Sequence, residues 1–455
     1  MASLLPLLVL LLCLQSPLTT SLTLSVADYG AIGDGRCYDT SAIQSAIDAC
    51  AAAGGGRVVF PSGGTYLTKT LNLRSGVVLR LERGSRILGG TRRGDYPAEQ
   101  RRWYVVLAED AKGVGIEGEG TIDGQGGAFV ERIDDRKNVM VSWNGTGMGC
   151  LGDECRPRLV GFLGCEGVAV SGIRFVQPAY WCLHLVRCDR TTIRDVQIKG
   201  DWDTPNNDGI DVEDSNNTLI ERVRIDTGDD AICPKSSTGP VVNLVARDCW
   251  IRTKSSAIKL GSASWFDFKN FLFDNITVVD SHRGLALQIR DGGSVNNVTF
   301  SNINISTRYY DPSWWGRAEP IYVTSCPRDR TSKSGAISDL LFINISAVSE
   351  NGVFLSGSLG APLHDLRFIN VNLTYKRWTN YSGGLFDYRP GCHGFVKHGT
   401  AGVMVEHVNG LVMENVKMKW VEENGLKGWD DPMEFRPDSV TGLALNGVTS
   451  YVERL

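Results

Sequence analysis

Short apolar runs recur along most of the chain, separated by stretches rich in Gly, Asn and Asp. The intervals between the centres of consecutive runs are 23, 27, 26, 27 and 27 residues, and these centres are Ile173, Val196, Val223, Cys249, Ile276 and Ile303. Further along, Ile345 and Val371 are 26 residues apart. Repetition at a nearly fixed period of this length is typical of solenoids and excludes an ordinary helical domain.

Each period is too short to contain a crossover helix. A coil of 22–27 residues, at about 3.3 Å per residue, holds only two or three short strands joined by turns. The pattern therefore predicts an all-β fold, a single-stranded right-handed parallel β-helix with Ile, Val, Leu and Phe stacked inside. Asparagines recur one residue before the central apolar residue and predict a ladder of side chains at a bend; they are Asn275, Asn302, Asn344 and Asn370.

The regions that depart from the period have their own predictions. Apolar residues at helical spacing predict an N-terminal helix from about Thr40 to Ala53, capped by Asp39 or Thr40, that covers the end of the solenoid. Two excursions, 142–166 and 307–335, are expected to form loops on one face. In the second, Trp314 and Trp315 either stack on sugar rings or pack as the base of the loop. After residue 375 the repeat is less clean.

The start of the chain predicts export. Residues 1–22 contain an apolar core from Leu4 to Leu14 and small residues near the end, as a signal peptide does, and residues 23–455 are then one parallel β-helix catalytic domain. We expect a secreted protein of the extracellular space or cell wall, a monomer without membrane contacts. With a net charge of −4 and no basic run, nucleic acid is not expected as a partner.

Cysteines and sequons fit an exported glycoprotein. Eleven cysteines remain after Cys13 leaves with the signal, so an odd one stays free or pairs with another chain. Cys150/Cys155 and Cys182/Cys188 are plausible local disulfides, although spacing alone leaves the connectivity open. No cysteine has zinc-site spacing with His, and neither a metal nor another cofactor is expected. The Asn-x-Ser/Thr sequons are at Asn144, Asn216, Asn275, Asn297, Asn304, Asn344, Asn372 and Asn380.

The candidate chemistry lies between residues 201 and 261. Asp229 and Asp230 follow Asp208 by 21 and 22 residues, close to one coil. Aligning the apolar residues makes Ile210, Ile232 and Ile258 equivalent. The residues two positions earlier, Asp208, Asp230 and Ser256, then stack on successive coils about 4.8 Å apart. Carboxyl groups this close share a proton, which raises one pKa and lowers the other. The alternative is that these acids are only turn formers.

Several motifs in this order resemble one known family. DYGAIGDG, DTSAIQSAIDAC, GGGRVVFPSGGTYL, NNDGID and TGDDAI are similar to the polygalacturonase-type glycoside hydrolases of family 28, most strongly over 26–70 and 200–300. The resemblance implies a right-handed parallel β-helix that hydrolyses α-linked galacturonic acid or rhamnogalacturonan with inversion. It implies that Asp229 protonates the leaving oxygen, while Asp208 and Asp230 hold and activate water. Inversion requires room for that water between acid and base.

This chain departs from the family pattern in two places. Ser255-Ser256-Ala257 stands where the family has Gly-His-Gly, so the expected histidine is absent. LQIRDGG stands where the family has Arg-Ile-Lys, which keeps one cation and loses the other. Lys235 and Lys259 could supply charge for a substrate carboxylate, or they could be solvated turn residues. The predicted substrate-binding set is Asp211, Lys235, Ser256, Lys259, Gln288, Arg290, Trp314 and Trp315.

Two other functions stay open from the sequence. A polysaccharide lyase on the same fold often uses calcium, for which the candidate ligands are Asp201, Asp203, Asp211, Glu213 and Asp214. A catalytically silent carbohydrate-binding relative is suggested by the missing histidine and lysine. The sequence does not decide the sugar, the linkage, or endo against exo cleavage.

Overall fold

The chain winds into a right-handed parallel β-helix, as predicted. The computed structural model describes residues 22–134, 139–142, 155–311, 314, 316–381, 383, 385–387, 395–397, 400–422, 432–435 and 437–454. The predicted signal peptide, apart from Leu22, lies outside these residues, and so do Cys150 and Trp315. No helix among the described residues is long and apolar enough to cross a membrane.

One side of the solenoid is a sheet of 12 short parallel strands, here called the narrow sheet. Its strands are Leu71–Leu73, Tyr104–Glu109, Arg158–Leu163, Leu183–Val186, Ile210–Glu213, Ile232–Lys235, Ser256–Ser262, Arg283–Ile289, Ile321–Thr324, Val353–Ser356, Val403–Glu406 and Met433–Phe435.

The rest of the wall is a 22-stranded sheet, here called the wide sheet. Its strands are Leu22–Ser25, Asp34–Tyr38, Gly56–Phe60, Thr65–Thr68, Val77–Leu81, Arg86–Gly89, Gly115–Gly118, Thr121–Asp123, Glu166–Ser171, Arg174–Val176, Asp189–Arg194, Gln197–Lys199, Asn216–Glu221, Arg224–Thr227, Val241–Thr253, Phe268–Ser281, Ser294–Thr307, Ala336–Ser349, Leu363–Tyr375, Val408–Glu422, Val440–Asn446 and Thr449–Arg454. Two antiparallel hairpins stand apart, Val130–Asp134 with Val139–Ser142 and Leu385–Asp387 with Phe395–Lys397.

The predicted repeat is confirmed, and the asparagine ladder is confirmed from Asn302 to Asn370, whereas the amide of Asn275 donates to Asp248 instead. Ile303 pairs with Ile345, which pairs with Val371. The amide of Asn344 donates to the side chain of Asn302 at 3.0 Å, and that of Asn370 donates to Asn344 at 3.2 Å. These asparagines have positive φ, a conformation that Asn tolerates better than most residues, and they bend each long strand.

The N-terminal helix caps the solenoid as expected. It spans Thr40–Ala52 and buries Ile43 and Ile47. Asp39 stands at its N-cap, but the predicted side-chain cap is wrong. Its carboxylate instead accepts from the N–H groups of Ile32 and Gly33, at 2.7 and 3.0 Å, and so closes the preceding turn.

The solenoid is more continuous than its sequence indicated. The apolar runs Arg158–Leu163 and Ile321–Thr324, placed inside the two excursions, are regular strands of the narrow sheet. The repeat also continues past residue 375, because Val408–Glu422 pairs along the whole of Leu363–Tyr375. The sequence periodicity does not reveal these strands, because each is a short apolar run surrounded by polar loop residues.

The predicted Cys182/Cys188 disulfide is wrong. Both side chains are buried free thiols, and Cys188 Sγ contacts the carbonyl oxygen of Phe162 at 3.1 Å. Cys182 immediately precedes the strand Leu183–Val186 and Cys188 lies two residues past its end, so extended backbone separates them. Cys155 and Cys326 are each disulfide-bonded. The Cys150/Cys155 prediction involves a residue outside the described part of the chain.

Candidate active site

The three predicted acids converge at the start of two neighbouring strands of the narrow sheet. Ile210 pairs with Ile232, and Ile232 pairs with Ile258, as the register predicted. Carboxyl oxygens of Asp208 and Asp230 and the sulfur of Cys233 lie within 4.8 Å of one another. Asp208, Asp229 and Asp230 are each 3% exposed, so they form a buried cluster that ordinary solvated turn residues would not form.

Backbone N–H groups fix the orientation of Asp229. Its two carboxyl oxygens accept from the N–H groups of Asn206 and Asp230, both at 2.9 Å. The side chain of Asn207 accepts from the N–H groups of Gly228 and Asp229, which locks the turn. A Cβ at Gly228 would lie 2.8 Å from three backbone carbonyl oxygens, so this turn requires glycine.

Asp230 is held as an anion. Its carboxylate accepts from Ser255 Oγ at 2.8 Å and from the Ser256 N–H at 3.2 Å, and Lys259 Nζ lies 2.6 Å from Oδ2. Burial alone would raise the pKa of Asp230, but the charges of Lys259 and Lys235 and the hydrogen bonds from Lys259 and Ser255 together outweigh it, and the pKa is lowered. Sequence reasoning chose Ser256 for its hydroxyl, whereas the hydroxyl that bonds Asp230 belongs to Ser255.

Lys235 joins two further carboxyl groups. Its Nζ lies 2.5 Å from Asp211 Oδ1 and 3.4 Å from Asp208 Oδ2. The Lys235 and Lys259 side chains are only 11% and 14% exposed and lie on strands, so the solvated-turn alternative is wrong. Asp211 is fully buried beneath Lys235, which indicates that it positions this ammonium group.

The pKa values of the acids separate as the stacking predicted. Burial and the nearby charge of Asp211 raise the pKa of Asp208 well above its ordinary range. Burial, together with the charge of Asp230, raises the pKa of Asp229 to about 6. At mildly acidic pH a protonated carboxyl at Asp229 therefore stands beside an ionised one at Asp230. One proton donor and one acceptor are what general acid–base catalysis needs.

Arg156, fully buried, supports the turn before Asp208 and was missed from the sequence. Its guanidinium donates to the carbonyl oxygens of Ala179 and Pro205, at 2.8 and 2.6 Å, and to Asn206 Oδ1 at 3.0 Å. No local motif marks this residue, because its partners are far away in sequence.

Trp181 was also missed, although the register could have found it. It lies two residues before Leu183, which pairs with Ile210, so it occupies the position of Asp208 one coil earlier. Its ring lies 4.6 Å from Lys235 Nζ.

The remaining predicted binding residues lie farther from the acids. Gln288 pairs with Gly261, two coils beyond Lys235, and both Gln288 and Arg290 are nearly buried. Trp314 is 3% exposed, and Lys254 Nζ lies 4.8 Å from its ring. That burial favours a packed loop base over sugar stacking. Trp315 lies outside the described residues.

The acids suggested as calcium ligands have separate partners. Asp203 pairs with Lys254 at 2.6 Å, Glu213 pairs with His184 at 2.8 Å, and Asp211 is taken by Lys235. Asp214 accepts from the N–H groups of Ser237 and Thr238. Within the described ranges these side chains do not gather into one ligand set.

Comparisons with known proteins agree with this geometry. The sequence profile of Glycosyl hydrolases family 28 matches residues 50–382. A probable polygalacturonase of Arabidopsis thaliana is 27% identical over 365 residues, covering 76% of this chain and 73% of that protein. A probable polygalacturonase of Vitis vinifera is 26% identical, and this chain spans 60% of its length. A family 28 exopolygalacturonase structure from Yersinia enterocolitica has a TM-score of 0.66 and 20% identity, over 95% of this chain and 78% of that one.

Proposed function

The chain belongs to glycosyl hydrolase family 28, and on that premise we propose that it is an exported enzyme that hydrolyses a uronate-containing pectic polysaccharide with inversion. The observation that carries the proposal is the pair Asp229 and Asp230. The two carboxyl groups are adjacent and buried, and their pKa values move in opposite directions. A carbohydrate-binding protein without catalysis gains nothing from such a pair.

Each acid then has a role that its environment supports. Asp229, protonated below about pH 6, gives its proton to the leaving glycosidic oxygen as that bond breaks. Asp230, ionised beside Lys259, takes a proton from the attacking water, whose oxygen bonds the anomeric carbon. Asp208, with its pKa raised, orients that water. An inverting reaction requires the water on the face opposite the acid.

The cations favour an anionic substrate. Lys235 and Lys259 each pair with a carboxylate of the site, but they also place two positive charges beside the acids, and burial there strengthens their attraction to a substrate carboxylate. The names of the Arabidopsis and Vitis relatives are consistent with polygalacturonate. Rhamnogalacturonan is the second substrate to be tested.

The test is hydrolysis of defined homogalacturonan and rhamnogalacturonan oligomers, with products identified by mass spectrometry and anomers by NMR. Asp229→Asn should lower kcat by about 10²–10⁴-fold, the usual contribution of general acid catalysis, without changing the melting temperature by more than a few degrees. Asp195→Asn, an exposed carboxylate paired with Arg222 on the wide sheet, is the matched control. Retained activity in Asp229→Asn, an α-anomer released from the α-linked substrate by retention, or unsaturated products would each contradict the proposal.

A further inference from the structure

Arg158 lies in line with the catalytic acids. Val160 pairs with Leu183, and Leu183 pairs with Ile210. Arg158 is two residues before Val160, as Asp208 is two residues before Ile210. Arg158 therefore occupies the same position as Asp208, two coils closer to the N-terminus. At about 4.8 Å per coil it is about 10 Å from Asp208 and about 14 Å from Asp230 along the axis.

A pocket of about 390 Å³ opens on the narrow sheet at this level. Arg158, Tyr104, His184 and Arg187 contribute to its walls. The Tyr104 ring lies against Gly161, where any added Cβ would stand 2.4 Å from the ring. The pocket lies on the same sheet as the acids and within the size range of small-ligand sites, so a chain of sugars could occupy both.

Aromatic rings hold the Arg158 guanidinium without neutralising it. Its central carbon lies 4.9 Å from the Trp181 ring, 5.0 Å from the Tyr180 ring and 5.7 Å from the Tyr104 ring. Its Nε is buried and has no hydrogen-bond partner, and no carboxylate pairs with Arg158 within the described ranges. The side chain is thus positioned and charged, with hydrogen-bonding capacity unused.

The carboxyl groups of the same pocket do not occupy Arg158. Glu109 pairs with Arg102 at 2.5 Å, and Glu213 pairs with His184 at 2.8 Å. Asp110 donates its N–H to the carbonyl oxygen of Leu163, five residues along the strand from Arg158. At about 3.3 Å per residue, Leu163 lies about 16 Å from Arg158, at the opposite end of the strand. Asp110, which is bonded beside Leu163, is therefore not placed to pair with Arg158.

We propose that Arg158 binds the carboxylate of a uronate residue two to three sugar units from the bond that is cleaved. The inference rests on the proposed function and extends it. A pyranose unit and the coil spacing are of similar length, so successive coils meet successive sugars. A guanidinium stacked on aromatic rings presents its fork to a carboxylate with little loss of side-chain freedom. Arg158 is then a specificity residue of the substrate groove.

The test measures kcat/KM for galacturonate oligomers of two to six units with wild type, Arg158→Gln and Arg158→Lys. Loss of a charge-assisted pair should lower kcat/KM for tetramers and longer chains about 10- to 100-fold in Arg158→Gln. The shortest cleaved oligomer should change by less than about twofold, and Arg158→Lys should be intermediate. Arg367→Gln, an exposed arginine of the wide sheet, is the control and should behave as wild type.

A second arm removes the charge from the ligand. Methyl esterification of tetragalacturonate removes every carboxylate, including any that Lys235 and Lys259 attract, so it should weaken binding to Asp229→Asn, measured by calorimetry, at least as much as adding Arg158→Gln does. Adding Arg158→Gln should not weaken binding of the esterified oligomer any further. This arm needs no turnover and still applies if Arg158→Gln is poorly folded, because esterification alone must weaken binding.

The outcomes separate the inference from the proposed function. If wild type cleaves uronate oligomers but Arg158→Gln affects all lengths equally or none, the inference is wrong and the function stands. If no uronate oligomer is cleaved by wild type, the proposed function is wrong. Absence of tetragalacturonate binding to Asp229→Asn, or binding indifferent to esterification and to Arg158→Gln, overturns the inference in either case.

Discussion

Replacing Lys259 by Met would leave a buried carboxylate without its cation. Lys259 Nζ lies 2.6 Å from Asp230 Oδ2, and the two side chains are 14% and 4% exposed. Breaking a buried pair by removing one partner costs about 3–5 kcal/mol, because the remaining charge has lost both water and its counter-ion. We expect Lys259→Met to lower the free energy of unfolding by this amount at pH 7, and to lower kcat strongly because Asp230 no longer stays ionised.

The loss should depend on pH with a definite sign. In wild type the pKa of Asp230 is lowered, so its pairing stabilises the fold above the ordinary pKa of 3.8 and is lost as pH falls below it. In the variant, burial without Lys259 raises that pKa, and the native state takes up a proton as pH falls. The difference in unfolding free energy between the two proteins should therefore be largest at pH 7 and smallest near pH 4.

Lys269→Met is the matched control. Lys269 Nζ lies 2.7 Å from Asp267 Oδ2, nearly the same separation, but those side chains are 46% and 40% exposed. An exposed pair contributes about 0–1 kcal/mol. Urea unfolding followed by tryptophan fluorescence at pH 7 and pH 4 measures both variants. Equal losses in the two variants, or a Lys259→Met loss that does not shrink at pH 4, would refute the reasoning.

Three further outcomes are expected. Above about pH 6, kcat/KM should fall about tenfold per pH unit as Asp229 loses its proton, and a profile flat to pH 8 would contradict its role as the acid. Asn344→Ala should lower the free energy of unfolding by about 1–3 kcal/mol, through two ladder hydrogen bonds and the left-handed backbone, while Asn344→Gly should lose less; thermal unfolding of both checks this. Cys182 and Cys188 should both be alkylated by iodoacetamide in unfolded, unreduced protein, and a disulfide-linked peptide found by mass spectrometry would contradict this.

The sequence was sufficient wherever the period was intact. A strand that slips by one residue would turn its apolar side chains outward, so aligning Ile210 with Ile232 determined the register and with it the stacking of Asp208 on Asp230. The same alignment carried Lys259 into the position of Cys233 one coil later. These contacts join residues one coil apart, and the repeat length predicts which residues those are.

Interactions between residues outside the regular repeat could not be predicted. Arg156 reaches Pro205 and Asn206 across a break in the repeat, and the strand that begins at Arg158 falls within an excursion that the period predicts to be a loop. The number of residues between consecutive coils no longer tells which side chains meet there. Whether a lysine on a strand is buried or solvated also depends on the turns that cover it. The alternation of inward and outward side chains along the strand does not specify those turns.

The charges of the site explain its chemistry better than any single residue does. Among the residues that the structure describes, Asp208, Asp211, Asp229 and Asp230 are buried together with two ammonium groups, those of Lys235 and Lys259. Four carboxylates against two cations would leave an uncompensated buried charge, and the least costly remedy is to bind protons. The direct partners, Lys259 on Asp230 and Lys235 on Asp211, leave Asp208 and Asp229 as the groups that take them up. Asp229 is therefore a proton donor because its neighbours have used the available cations, and a variant that adds a cation beside it should acidify it and shift the activity profile to lower pH.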